Sequence, residues 1–341
     1  MFRENLRIFL EKECTPEFVR KLWETDSGRS PELWTKLVEL GLVGMLVPEA
    51  QGGLGMDEVD LILPLEETGR VALPAPIVET AAVAVPLLRE MGGSRAEHWL
   101  SQIATGDAIM AVGHHLSPVV ADAHVADALL LEAGDAVHLL TPEQVRMTPQ
   151  PCSDASRRLF TVEFEASEET TVARGEDAQV LMRSAIDRGA LAVASQQLGL
   201  AQRMVEIAVE YAKQREQFGK PIGSFQAIKH MLASVQVAIE FARPLVYRAA
   251  HAIAHGEASR SIDVSQANAA ASDAAHRSAT TALQVHGGIG YTWEVDLHLW
   301  MKRAWALEAA FGSPRWHRRR IARAVLDEDS LAPSFGFQAQ G

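Results

Sequence analysis

Cysteine is nearly absent: only Cys14 and Cys152 occur in 341 residues. Two thiols exclude a cysteine-built zinc or iron–sulfur site and a disulfide scaffold, and they suit a reducing compartment. No apolar run approaches the ~18 residues that a membrane span needs. The opening Met-Phe-Arg-Glu-Asn-Leu-Arg is mixed in charge and has no apolar signal core. Positive charge is in deficit as well. Lys plus Arg number 32 against 44 Asp plus Glu, a formal balance of −12, which disfavours nucleic acid and anionic membrane as partners. What these absences leave is a soluble, cytoplasmic, globular protein. Apolar residues make up 48%, ample for a core, and at ~150 residues per domain the length suggests about two domains.

Hydrophobic spacing divides the chain into three stretches. Leu33, Trp34, Leu37, Val38 and Leu40 recur at three- and four-residue intervals, one buried helical face. The turn-rich PEAQGGLG of residues 48–55 interrupts this period, which resumes over 56–68, 81–91 and 94–103. An N-terminal helical domain is therefore expected over 1–104. Over 105–176 short apolar runs at 126–133 and 136–140, and the alternation of Phe160, Val162 and Phe164 against Leu159, Thr161 and Glu163, predict strands. These make a small, truncated middle β domain. Long Ala-rich helical patterns at 190–213, 225–255, 263–286 and 296–307 predict a C-terminal four-helix bundle within 177–330. A further helix over 314–326 is expected, Pro244 should kink or restart its helix, and 331–341 read as a flexible tail. The fold class is mainly α with a reduced β insert.

One segment carries most of the chemistry. Arg215-Glu216-Gln217-Phe218-Gly219-Lys220-Pro221-Ile222-Gly223 ends a helix with cations (Lys213, Arg215) and turns at glycines. Ser224, a good N-cap, then opens the next helix. An Arg beside a helix N-terminus can hold a diphosphate through charge-assisted hydrogen bonds. Taken alone, the segment is equally an ordinary helix–helix turn.

Its surroundings are similar to the acyl-CoA dehydrogenase family. Gly199-Leu200-Ala201-Gln202-Arg203, then Arg215 to Ile222, then Phe225-Gln226 resembles that family's first bundle helix, flavin-contacting turn and next helix start. Gln284-Val285-His286-Gly287-Gly288-Ile289-Gly290-Tyr291-Thr292-Trp293-Glu294 resembles its second flavin-contacting segment, and residues 37–55 its N-terminal domain. The match covers about four-fifths of the chain. The resemblance implies FAD shared across a subunit interface. Arg215 and Phe218 would grip the diphosphate, Phe225 and Gln226 would flank the adenosine, and Gln284, Gly287 and Gly288 would cradle it. For Gln284 the alternative is a buried helix-end amide.

The departures from the family are as informative. Family enzymes remove the α-proton of an acyl-CoA with a Glu while a hydride leaves the β-carbon. At the usual position of that base stands Phe311, and at its alternative position Gly189. Neither can accept a proton. Glu308, Asp187 and Glu294 are the carboxylates in reserve. The family's flavin-ring loop and Trp-Ile-Thr strand are also missing: Ala111-Val112-Gly113-His114-His115 occupies the first place, and no Trp lies between Trp99 and Trp293.

Such a chain is similar to the shortened subunit of heterotetrameric (α2β2) actinobacterial acyl-CoA dehydrogenases acting on CoA thioesters of steroid side chains. The resemblance implies a homologous full-length partner supplying the flavin-ring site and base, an acyl-CoA substrate, and electrons passed to an electron-transfer flavoprotein. Two alternatives stay open: a self-sufficient homomeric dehydrogenase with a relocated base, and a flavin-free scaffold. Among other features, His251 and His255 could share a helical face, without a supporting metal-ligand pattern, and Arg315, Arg318, Arg319, Arg320 and Arg323 form a basic helix stretch.

Overall fold

The computed structural model describes residues 2–326; the expected tail at 331–341 lies outside them. Helices α1 (Phe2–Glu13), α2 (Pro16–Trp23), α3 (Pro31–Glu39) and α4 (Glu58–Arg70) open the chain. Local chemistry sets their starts. Thr15 and Ser30 accept the backbone N–H groups of Phe18 and Leu33 at 3.2 and 3.1 Å, each followed by a proline at the first helical position. Asp57 and Asp60 form a capping box for α4. A wholly buried π-helical turn, Val78–Ala84, runs into α5 (Val85–Met91), and α6 (Gly93–Thr105) follows.

Seven short strands come next. β1 (Met110–Gly113), β3 (Ala128–Ala133), β4 (Ala136–Leu140) and β7 (Thr171–Arg174) form one sheet in the order β1-β3-β4-β7, with β1 and β3 parallel. β2 (Val120–Ala121), β5 (Val145–Gln150) and β6 (Leu159–Phe164) form a second, ordered β2-β6-β5. Phe160, Val162 and Phe164 pack together on a small separate core with Leu129 and Leu131, as the alternation predicts.

The bundle consists of α7 (Gly175–Gln214), α8 (Gln226–Ala254), α9 (Arg260–His286), α10 (Leu297–Leu307) and α11 (Pro314–Leu326). A two-residue hairpin, β8 (Glu216–Gln217) and β9 (Lys220–Pro221), joins α7 to α8. Asp187 meets Ser261 and Tyr211 meets His286, so α7 and α9 run parallel. No described helix is long and apolar enough to cross a membrane.

Three expectations need correction. α7 begins fifteen residues before the pattern at 190, because its first turns bury polar groups by pairing: Arg188 meets Glu58 and Glu90, and Asp187 meets Arg320. α8 continues through Pro244 rather than restarting there, since losing one backbone hydrogen bond is tolerable in a helix packed along its length. Ser224 lies in a short 3₁₀ turn and caps nothing; Phe225 occupies the cap position, with no side-chain cap bond.

The N-terminal helices close on the bundle at very short range. A Cβ on Gly199 would lie 1.9 Å from the Glu66 carbonyl oxygen, and one on Gly69 2.1 Å from that of Gln196. The α4–α7 contact therefore requires hydrogen at both places. Arg70 reinforces it with a bidentate pair to Glu206 at 2.9 and 2.8 Å.

Candidate functional site

One end of the bundle collects the seven candidate cofactor residues. Tyr211 stacks on His286 with ring centroids 4.3 Å apart, which sets the end of α7 beside the end of α9. The segments 215–226 and 284–288 thereby become neighbours. Arg215 leaves α7 in an extended conformation, and its carbonyl accepts the Ile222 N–H at 2.7 Å, closing the hairpin. The two turn residues, Phe218 (φ +54°) and Gly219 (φ +76°), both lie in the left-handed region, as a tight hairpin turn of this twist requires.

That turn lifts Phe218 into solvent, 93% exposed, edge-on to Phe225 at 6.2 Å. The Lys220 ammonium sits 4.5 Å over the Phe225 ring. The exposed Arg215 guanidinium makes no ion pair or hydrogen bond among the described residues. Gln226 is exposed in the first turn of α8. Gln284 is also exposed, which removes the buried-amide alternative. Gly287 (φ +65°) and Gly288 have no atom within 4 Å of where a Cβ would stand, so both present open backbone. Beyond them Tyr291 and Trp293 are largely exposed. An uncompensated guanidinium and ammonium, bare glycine backbone and solvent-facing rings suit an anionic, planar ligand or a partner that covers them. FAD's diphosphate and adenosine fit this surface.

The second candidate region is closed. Phe311 is buried, and its ring stacks on His114 at 4.8 Å with 28° between planes. A Cβ at Gly189 would lie 2.2 to 2.4 Å from ring atoms of Phe311. The two positions expected for a base thus pack against each other, and His114, from the segment that stands in place of the family's flavin-ring loop, stacks on Phe311. No space for an isoalloxazine is left between these three residues.

Two of the three reserve carboxylates are engaged elsewhere. Asp187 is buried, accepts the Ser261 hydroxyl at 2.5 Å and pairs with Arg320 at 2.6 Å. Glu308 meets His276 at 3.0 Å, and Glu294 is exposed. Separation of Tyr211 from His286 by 75 residues, and of Gly189 from Phe311 by 122, hides both junctions from local sequence patterns. The one available signal for the second was the reciprocal pair of a smallest and a large residue at the two base positions.

Two buried histidines flank Phe311. His317 bridges the Phe311 carbonyl and Ser265 Oγ, each at 3.2 Å. Burial pushes both His114 and His317 down to about 4. Unfolded histidine titrates near ~6.5. Between those values the unfolded chain binds protons that the folded one refuses, so stability should fall as pH drops from about 6.5 toward about 4 and stay flat above 7. Urea midpoints at pH 7.5, 6 and 5 measure the slope, which His317→Gln should reduce.

Elsewhere, His251 and His255 stack at 4.0 Å on one face of α8. Among the described residues no group of three or more His, Cys, Asp or Glu is placed to hold a metal ion. In the basic stretch Arg318 pairs with Asp273, and Arg320 with Asp187.

Both helical parts of the chain match known family models. Residues 1–107 match the model of the acyl-CoA dehydrogenase N-terminal domain and 179–326 that of the acyl-CoA dehydrogenase C-terminal domain. Acyl-CoA dehydrogenase IpdE2 of Mycolicibacterium smegmatis is 34% identical over 327 residues, covering 96% of this chain and 98% of that protein. The fold superposes on a chain of the ChsE4-ChsE5 complex from Mycobacterium tuberculosis with a TM-score of 0.85 and 27% identity, covering 96% of each. It also superposes on the Tcur3481-Tcur3483 steroid ACAD with a TM-score of 0.87 and 23% identity, covering 96% and 97%.

Proposed function

Because the chain belongs to the acyl-CoA dehydrogenase family, we propose that it is the non-catalytic subunit of a heteromeric FAD-dependent acyl-CoA dehydrogenase. In this reading its bundle end receives the diphosphate and adenosine of FAD. A homologous full-length subunit supplies the flavin-ring site and the base, in an α2β2 assembly with two flavins. The observation that carries the reading is the contrast between its two regions. The surface around Arg215 and Gly287 is open and uncompensated, whereas the Phe311 region is packed shut.

FAD, when bound, provides the hydride acceptor for α,β-dehydrogenation of an acyl-CoA. This chain's own residues bind and orient. Arg215 clamps the diphosphate through paired N–H donors, Phe218 and Phe225 offer ring faces, and Gln284, Gly287 and Gly288 let the nucleotide approach the backbone. No residue at its own base position can take up a proton. The likeness to the ChsE4-ChsE5 complex supports a partner of different sequence. A bulky polycyclic acyl group, as on a steroid side chain, an electron-transfer flavoprotein as acceptor and a cytoplasmic setting complete the reading.

Co-expression with the homologous partner should yield equal numbers of the two chains and two FAD per tetramer. In that complex Arg215→Ala should weaken FAD binding tenfold or more, since a charge-assisted contact contributes about 1.5–3 kcal/mol. One FAD per subunit together with turnover by this chain alone would overturn the proposal.

A further inference from the structure

The chain has 12 histidines, and His251 and His255 are the one pair spaced to share a helical face at i and i+4. His251 lies in the last turn of α8 and His255 caps that helix. Both are exposed. Their rings stack with centroids 4.0 Å apart and 13° between planes. At ~1.5 Å per residue the pair stands ~37 Å along α8 from Gln226, well away from the candidate cofactor surface.

Hydrogen bonds decide which nitrogen of each ring is free. His255 Nδ1 lies 2.9 Å from the His251 carbonyl, which can only accept, so Nδ1 carries the proton. His251 Nδ1 lies 3.0 Å from Glu257 Oε1. The Arg248 guanidinium beside Glu257 pulls that carboxyl down to about 2, so it stays ionised and also only accepts. In both neutral rings the bare lone pair is therefore on Nε2. Neither Nε2 has a hydrogen-bond partner among the described residues.

Two neighbouring imidazoles with Nδ1 tied back and Nε2 free are a chelating arrangement. A carboxylate on the far nitrogen is the common orienting partner of a metal-ligating histidine, and Glu257 holds that place on His251. Two metal–nitrogen bonds of ~2.0–2.1 Å at a tetrahedral angle set the nitrogens ~3.3 Å apart. A modest tilt of two exposed rings reaches this from the observed stacking. The electrostatics also suit a cation. The C-terminal end of a helix carries partial negative charge, and Arg248 faces two carboxylates, Glu257 and Asp263. No third protein donor joins the pair among the described residues, so water fills the remaining positions.

We infer that His251 and His255 form a two-histidine surface site for a divalent transition-metal ion of the imidazole-preferring class, Zn(II), Ni(II) or Cu(II), with Glu257 orienting His251. The inference goes beyond the dehydrogenase reading and is independent of it.

The full chain is titrated with nickel chloride against a competing colorimetric indicator. One ion per chain is expected in the tightest class, undisturbed by excess magnesium chloride, because hard oxygen-seeking Mg²⁺ does not favour imidazole. His251→Asn and His255→Asn should each weaken binding roughly tenfold or more, since the second bond is no longer intramolecular. Glu257→Gln keeps both ligands and should weaken it about tenfold, the lower end for loss of an orienting partner. Nickel should also raise the urea midpoint of the parent chain and not that of His255→Asn, because the i, i+4 spacing exists only in the folded helix. The midpoints without metal show that each variant folds. Binding that survives His255→Asn within about threefold, is unaltered in Glu257→Gln, or leaves the parent midpoint unmoved would overturn the inference.

Discussion

Asp154→Ala should lower the unfolding free energy by about 3–5 kcal/mol, the range for stranding one partner of a buried ion pair. Asp154 and Arg303 are 1% and 5% exposed, and their side chains meet directly. The Arg303 guanidinium also donates to the Leu73 carbonyl at 2.8 Å, and Asp154 accepts the Ser156 N–H at 2.9 Å. The pair thus ties three parts of the chain together: the β5–β6 connection, α10 of the bundle, and the segment after α4. Removing the carboxylate leaves a cation enclosed with a single carbonyl. Pairing the change with Arg303→Met should recover most of the loss, because the enclosed charge is then gone as well. Urea denaturation of both variants tests this. A single variant within ~1 kcal/mol of the parent would show that water reaches Arg303 and that the junction is not closed.

Much of this architecture was legible because it rests on local spacing. Leu33, Trp34 and Leu37 are buried on α3 at the intervals that predicted a helix, and Phe160, Val162 and Phe164 face one core. Family likeness located Arg215, Phe218, Gln284 and Gly287 along the chain, and the fold sets them at one bundle end. What escaped was tertiary in origin. The first turns of α7 carry Ser184, Asp187 and Arg188, which look like surface residues. Their partners, Glu90, Arg320 and Glu58, lie about 90 or more residues distant. Pro244 breaks a rule of local propensity that packing overrides. Phe311 and Gly189 each read as a missing base, and only the fold shows that the two absences are a single contact.

That contact makes the second large prediction. Phe311→Ala should cost about 3–5 kcal/mol, as for other buried aromatic truncations. Gly189→Ala should cost about 1–3 kcal/mol by overpacking, because its Cβ would overlap a ring that is also stacked on His114. In the Phe311→Ala background the sign should reverse. Gly189→Ala then projects a methyl into the vacated space and gains the helix preference of Ala over Gly, about 1 kcal/mol. Denaturation of the four proteins of this cycle measures the coupling, and additive effects would mean that ring and glycine do not meet. The functional arm is Phe311→Glu. It puts a carboxylate against a histidine already deprived of water, so the expected result is loss of stability with no acyl-CoA turnover by the isolated chain. Turnover gained from that one substitution would mean that the region opens far enough to seat a flavin, and the division of labour between two unlike subunits would fail with it.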